Sequence, residues 1–204
     1  MEKIELFKPF GPSIVKVKMP NSMINDMNNY IDIVIQDEEK IKRLDEGAKL
    51  IGKVKQEFLM EVEFMKKIKW AEFLSSFVAK WANEDLKKEL KHFQLIKSWI
   101  VRQFKNDYNP VHWHTGDISG VGYLKVPTHL GNTYQPDKKT NENGKLQLIF
   151  GSPNLFSKST FLIKPEVGDF YLFPNYLMHT VYPFSGSNDE RRSVSFNARV
   201  QFDI

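Results

Sequence analysis

His112, His114 and Asp117 fall in one short segment that begins at Asn109-Pro110-Val111, and imidazole and carboxylate suit a borderline first-row metal. On an extended chain successive side chains point to opposite faces, so His112 and His114 share one face while Val111 and Trp113 take the other. Such a pair is a two-point grip for a cation. Half-buried strand histidines also bond to backbone groups, so the pair has to be weighed with what else the chain supplies. A further histidine, His179, comes 65 residues after His114, in the run from Gly168 to Pro183 that turns at Pro174-Asn175. Alone in an apolar setting it reads as a core residue. After a close pair it reads differently, because strands distant in sequence can lie side by side and complete a three-ligand site with positions left open.

A second group of candidates follows in Glu190-Arg191-Arg192-Ser193-Val194-Ser195-Phe196-Asn197-Ala198-Arg199-Val200. A period of two puts Arg191, Ser193, Ser195 and Asn197 on one face, with Val194, Phe196, Ala198 and Val200 on the other. A basic, hydroxyl-bearing lane facing a cavity is what a dicarboxylate ligand needs: the guanidinium forks onto a carboxylate and the serine two residues on adds a hydrogen bond. Arg192 falls on the apolar face and is expected at a rim or in solvent. The competing reading of this segment is an edge strand whose polar groups face water.

Composition narrows the chemistry. The chain has no cysteine, which removes disulfides, thiolate metal sites, iron-sulfur clusters and cysteine nucleophiles and leaves nitrogen and oxygen to hold any metal. The net charge of +4, from 29 basic and 25 acidic residues, is that of an ordinary solvated surface and shows no nucleic-acid stripe. The N-terminus Met1-Glu2-Lys3-Ile4-Glu5 lacks a signal peptide's basic start and apolar core, and no apolar run approaches membrane-spanning length, so a soluble cytoplasmic protein without membrane partners is expected.

The elements that must position these residues divide near residue 90. Before it, Gly11-Pro12 interrupts two short alternating stretches over residues 3–18, which predicts a hairpin. Met23, Ile24, Met27, Ile31, Val34 and Ile35 predict an amphipathic helix from Asn21 to about Leu44, capped by Asn21 or Ser22. Residues 50–60 fit either a short strand or an irregular crossing, and Ile68, Phe73, Leu74, Phe77, Val78 and Trp81 predict a helix over 66–90. After residue 91 a long strand buried on both faces leads into the histidine segment, with Phe93, Leu95, Trp99 and Val101 on one parity. Further strands are predicted over 118–126, 145–150, 159–164, 169–173 and 193–202, with a Pro-, Asn- and Lys-rich loop over 127–144. The fold expected is mainly β, a jelly-roll core over residues 91–204 with a helical buttress over 1–90, forming a single domain.

Taken together, the His-x-His segment, the Ser119-Gly-Val-Gly-Tyr-Leu124 strand, the Gly168-Asp-Phe-Tyr-Leu-Phe-Pro174 run ending at His179 and the Arg191-x-Ser-x-Ser-Phe-Asn197 end resemble the 2-oxoglutarate and Fe(II)-dependent oxygenase superfamily. The resemblance covers roughly residues 99 to 202 and is closest to the small oxygenases that bacteriophages of marine cyanobacteria carry. It implies a double-stranded β-helix (cupin-like), Fe(II) as metal, and 2-oxoglutarate as cosubstrate, held by Arg191 with Ser193 assisting and Tyr123 in contact. Dioxygen would convert 2-oxoglutarate to succinate and carbon dioxide, with one oxygen atom left to hydroxylate a C–H bond of a protein, peptide or small molecule. The superfamily's usual His-x-Asp or His-x-Glu departs here to His112-x-His114. Three ligand sets stay open: His112, His114 and His179; His114, Asp117 and His179; or His112, Asp117 and His179, with His114 behind them. A cupin-like metalloenzyme that does without 2-oxoglutarate, and a non-catalytic jelly-roll module, are the other readings.

Overall fold

A computed structural model describes residues 4–7, 11–133, 137–155 and 157–203. Parts of the expected N-terminal hairpin (residues 3 and 8–10) and of the expected 127–144 loop (residues 134–136) lie outside them. Among the described residues eleven strands form two sheets. The larger has the order β1-β2-β9-β6-β11-β4-β3 and the smaller the order β5-β10-β7-β8. The strands are β1 (Glu5–Phe7), β2 (Ile14–Lys18), β3 (Gln56–Leu59), β4 (Leu90–Gln103), β5 (Asn109–His112) and β6 (Ile118–Lys125), then β7 (Leu146–Ile149), β8 (Thr160–Ile163), β9 (Asp169–Pro174), β10 (Met178–Val181) and β11 (Arg191–Phe202). All pair antiparallel. Two facing antiparallel sheets joined by long crossovers make a double-stranded β-helix.

Strand alternation gives the larger sheet two buried faces. Val194, Phe196 and Ala198 of β11 and Phe170 and Leu172 of β9 pack with the helices, whereas Val121 and Tyr123 of β6 and Tyr171 and Phe173 of β9 pack towards the smaller sheet with Leu146 and Leu148. Each fully buried large side chain contributes roughly 1.5–3 kcal/mol. The buttress consists of α1 (Asn21–Val34), α2 (Glu38–Leu44), α3 (Val62–Lys67) and α4 (Trp70–Trp81). The single helix expected to run to Leu44 is broken because the Asp37 carboxylate accepts from the Glu39 and Lys40 N–H groups, both at 3.1 Å, and starts a new helix. Pro20 precedes α1 and neither Asn21 nor Ser22 caps it. The helix expected over 66–90 is two helices hinged at Lys69, whose φ of 54° ends one and begins the other, and a π-helical turn over Ala82–Leu86 closes the run at Lys87. Trp70 fixes α4 to β4 by donating its indole N–H to Ser98 Oγ at 2.7 Å. Among the described residues no helix is long and apolar enough to cross a membrane.

One irregularity decides what faces the interior. Asn197 pairs with Lys97 but Ala198 pairs with Leu95, so Ile96 is an extra residue in β4. Phe93 and Leu95 pack on the helices, but beyond the bulge Ser98 and Ile100 take that face. Lys97, Trp99, Val101 and Gln103 then turn inward opposite Asn197, Ser195, Ser193 and Arg191. The uniform parity expected for Phe93, Leu95, Trp99 and Val101 is therefore broken at its middle.

Candidate active site

Register brings the first and last histidines together. His179 on β10 is the direct cross-strand partner of His112 on β5, so both side chains leave the same face of the smaller sheet. His114 lies just past β5 and is held there by its main chain: Asn175 Nδ2 donates to the His114 carbonyl at 3.0 Å, and the His114 N–H donates to the Asn175 carbonyl at 3.2 Å. The turn before β10 thus clamps the segment after β5. One nitrogen from each of His112, His114 and His179 lies within 4.8 Å of the others.

The tautomers follow from the carbonyls. His112 Nδ1 is 2.7 Å from the Pro110 carbonyl and His179 Nδ1 is 2.9 Å from the Leu177 carbonyl. A carbonyl only accepts, so both Nδ1 atoms carry hydrogen and both Nε2 lone pairs face inward. His114 Nε2 is 3.1 Å from His179 Nε2. Metal–imidazole bonds of about 2.0–2.1 Å put two nitrogens roughly 2.9 Å apart at a right angle and 3.4 Å apart at the tetrahedral angle, so 3.1 Å suits two ligands of one ion. Burial holds all three rings neutral, as metal ligation requires. It pushes the pKa of His114 down to about 2 and that of His179 to about 3, helped by neighbouring histidines, and lowers that of His112 as well.

Asp117 is placed differently. Its Oδ2 accepts from the Val200 N–H at 2.9 Å, its own N–H donates to the Ala198 carbonyl, and it lines a separate apolar cavity with Trp81 and Tyr176. The imidazole N–H groups it could have met are bonded to the Pro110 and Leu177 carbonyls instead.

A narrow cavity joins the histidines to the second group. Its walls include His112, His114, His179, Arg191, Ser193 and Ser195. Arg191 is 2% exposed, donates through Nη1 to Gln103 Oε1, and lies with its guanidinium 5.2 Å from the centre of the Tyr123 ring. Arg191 Nε and the Tyr123 hydroxyl are buried without a hydrogen-bond partner. Burial lowers the arginine's pKa and raises the tyrosine's. A buried cation with unmet donors and no carboxylate beside it is a site waiting for an anion. Arg192 takes the opposite role from the rim position expected for it. It is buried under α1 and donates to Glu190 at 2.6 Å and Asp32 at 2.7 Å, and to the Asn28 carbonyl at 3.0 Å.

The family model described as "Putative 2OG-Fe(II) oxygenase" matches residues 97–197. Over those residues the chain is similar to the 2-oxoglutarate/Fe(II) oxygenases. No curated protein sequence matches it. Among solved structures it is similar to a prolyl-4-hydroxylase of Pseudomonas putida, at 15% identity with a TM-score of 0.57, covering 97% of this chain and 93% of that one. It is also similar to the viral collagen prolyl hydroxylase of Paramecium Bursaria Chlorella virus-1, at 13% identity and TM-score 0.55 over 92% and 96% of the two chains. HygX of Streptomyces hygroscopicus, solved with nickel, 2-oxoglutarate and hygromycin B, aligns at 11% identity and TM-score 0.57 over 94% and 83%. At such identities the likeness establishes the double-stranded β-helix and says nothing of substrate. The residues present fit both Fe(II) and 2-oxoglutarate. Three neutral imidazoles offer a metal its nitrogen donors, and the unmet donors at Arg191 and Tyr123 suit a carboxylate.

Gln103 and Asn175 were not singled out in the sequence. Gln103 ends a long apolar strand and Asn175 occupies a turn, so neither type nor spacing sets them apart; only the folded register does.

Proposed function

We propose that His112, His114 and His179 hold the Fe(II) ion, that Arg191 binds the distal carboxylate of 2-oxoglutarate with Ser193 and Tyr123 beside it, and that the enzyme hydroxylates a C–H bond with release of succinate and carbon dioxide. The observation that carries this reading is the single cavity lined by three neutral imidazoles and a buried arginine whose Nε has no partner. When bound, the iron and cosubstrate together supply the activation of dioxygen. The chain's own residues orient and isolate them. The Pro110 and Leu177 carbonyls fix two of the rings. Gln103 holds the Arg191 fork, Tyr123 walls it on one side, and Phe173 packs edge-on to His179 with ring centres 5.2 Å apart and helps exclude water. Asp117 serves the backbone of β11 in this reading and is not a ligand.

The test is anaerobic addition of Fe(II) and 2-oxoglutarate to the purified protein. A weak visible charge-transfer band should form, and succinate should follow on admitting air. A band that persists unchanged in His179→Ala removes that histidine from the site. Tightly bound metal without succinate release under any condition would instead favour a cupin-like enzyme that does not use 2-oxoglutarate.

A further inference from the structure

A second, wider cavity of about 310 Å³ opens beside the histidines and shares His112, His114 and Trp99 with the first. On its wall stands Glu57, from the inward face of edge strand β3, 1% exposed and with Oε1 lacking any hydrogen-bond partner. Gly52 lies against this carboxyl so closely that a Cβ there would come within 2.0 Å of Oε1, so the pocket wall is built around an acid whose inner oxygen has no partner. Lys97 lines the same pocket, turned inward by the bulge at Ile96, with its ammonium 5.0 Å from the centre of the Trp99 ring. Glu57 and Lys97 feel each other's charge, yet no ion pair joins them. Asp45 on the neighbouring loop is also close enough to act on Glu57, but it gives its Oδ1 to the Gly47 and Glu57 N–H groups.

A buried carboxyl with an unmet oxygen is costly unless a ligand satisfies it, and the half-buried Lys97 across the same pocket offers the opposite charge. We propose that this pocket receives a zwitterionic substrate of amino-acid size, its ammonium group met by Glu57 and its carboxylate by Lys97. The proposal rests on the oxygenase reading above, because that reading makes the pocket beside the histidines the place of the oxidised C–H bond. An ammonium bound to Glu57 gains a charge-assisted bond from a carboxyl that is itself out of water, and the Trp99 ring supplies an apolar wall for the carbon skeleton. A ligand without the ammonium leaves Glu57 buried and unmet, and one without the carboxylate forgoes the bond to Lys97, which is how a polar pocket discriminates between close analogues.

The experiment uses the protein loaded anaerobically with Fe(II) and 2-oxoglutarate, and also unloaded. Phenylalanine, leucine and proline are each compared with their decarboxylated and deaminated counterparts by ligand-observed NMR titration. At least one amino acid should bind tenfold or more tightly than both of its single-charge counterparts. Glu57→Gln should bring it down to the level of the deaminated compound, and Lys97→Met to the level of the decarboxylated one. Equal binding across each set, equal loss for all compounds in both variants, or no binding in any set overturns the proposal. The charge-transfer band in the same samples reports separately on iron and 2-oxoglutarate: a selective pocket without the band defeats the oxygenase assignment alone, and the band without selectivity defeats the zwitterion alone.

Discussion

His114 Nε2 and His179 Nε2 stand 3.1 Å apart, with the Nδ1 hydrogen of His179 already given to the Leu177 carbonyl. Burial keeps both rings neutral, so the His179 Nε2 lone pair faces a His114 Nε2 that either donates its hydrogen to it or, in the other tautomer, offers a second lone pair to a shared cation. The wild-type protein is therefore expected to retain close to one equivalent of Fe(II), or of Ni(II) as a stand-in, after dialysis. His114→Ala and His179→Ala should each lose it. Metal should also raise the unfolding free energy, by about 2.7 kcal/mol at a hundredfold excess over Kd. Elemental analysis and thermal melts check both, and full metal retention by His114→Ala would return Asp117 to contention.

Asp117→Asn separates the ligand sets directly. Asparagine keeps an oxygen to accept from the Val200 N–H, so metal stoichiometry should be unchanged and stability should fall by no more than about 1 kcal/mol. Loss of metal from this variant would contradict the three-histidine site.

The two adjacent arginines should fail in different ways. Arg191→Gln removes a charge-assisted bond to the cosubstrate and should weaken 2-oxoglutarate binding roughly tenfold to hundredfold, as titration of the charge-transfer band would show. Arg192→Ala removes the buried guanidinium from Asp32 and the Asn28 carbonyl and leaves Glu190 with Arg102 alone, which should cost stability by roughly 1–3 kcal/mol, while 2-oxoglutarate affinity of the folded fraction stays near normal. Equal effects on affinity would sink this division of labour.

Glu57 gives a pH signature. Burial, with Asp45 nearby, pushes its carboxyl up to about 7 from the usual 4.5, so the folded state binds a proton more tightly than the unfolded chain. Any stability this proton brings is present below pH 4.5 and is lost as pH rises through 7. Glu57→Gln has no such proton, so its stability should vary less with pH over this window. By pH 8 it should exceed the wild type by at most about 3 kcal/mol, measured by urea unfolding. Parallel pH profiles for the two proteins would disprove the assignment.

The histidines, and the arginine with its serines, were legible because strand period and residue type agree there: a polar lane beside an apolar one marks a wall with two different neighbours. Glu57 was not, because residues 50–60 carry no clean period and a glutamate among lysines and glutamines looks like surface. Arg192 was misplaced for a related reason. Its side of β11 is apolar, and the acids that let a guanidinium stay there come from Asp32 on α1 and from Glu190, a pairing set by tertiary packing. Asp117 is near the histidines in sequence, but its carboxylate accepts from the Val200 N–H of β11.

The extra residue at Ile96 marks the one place in β4 where chain length is free to change. Asn197 already pairs with Lys97 and Ala198 with Leu95, so deleting the exposed Ile96 would join two residues that face neighbouring partners, and Leu95 would keep the helices while Lys97, Trp99 and Gln103 kept the cavity. A deletion at Ser98 would instead turn the residues on one side of the cut to the opposite face of the sheet. Tolerance of a lost residue would thus differ sharply between two positions only two apart.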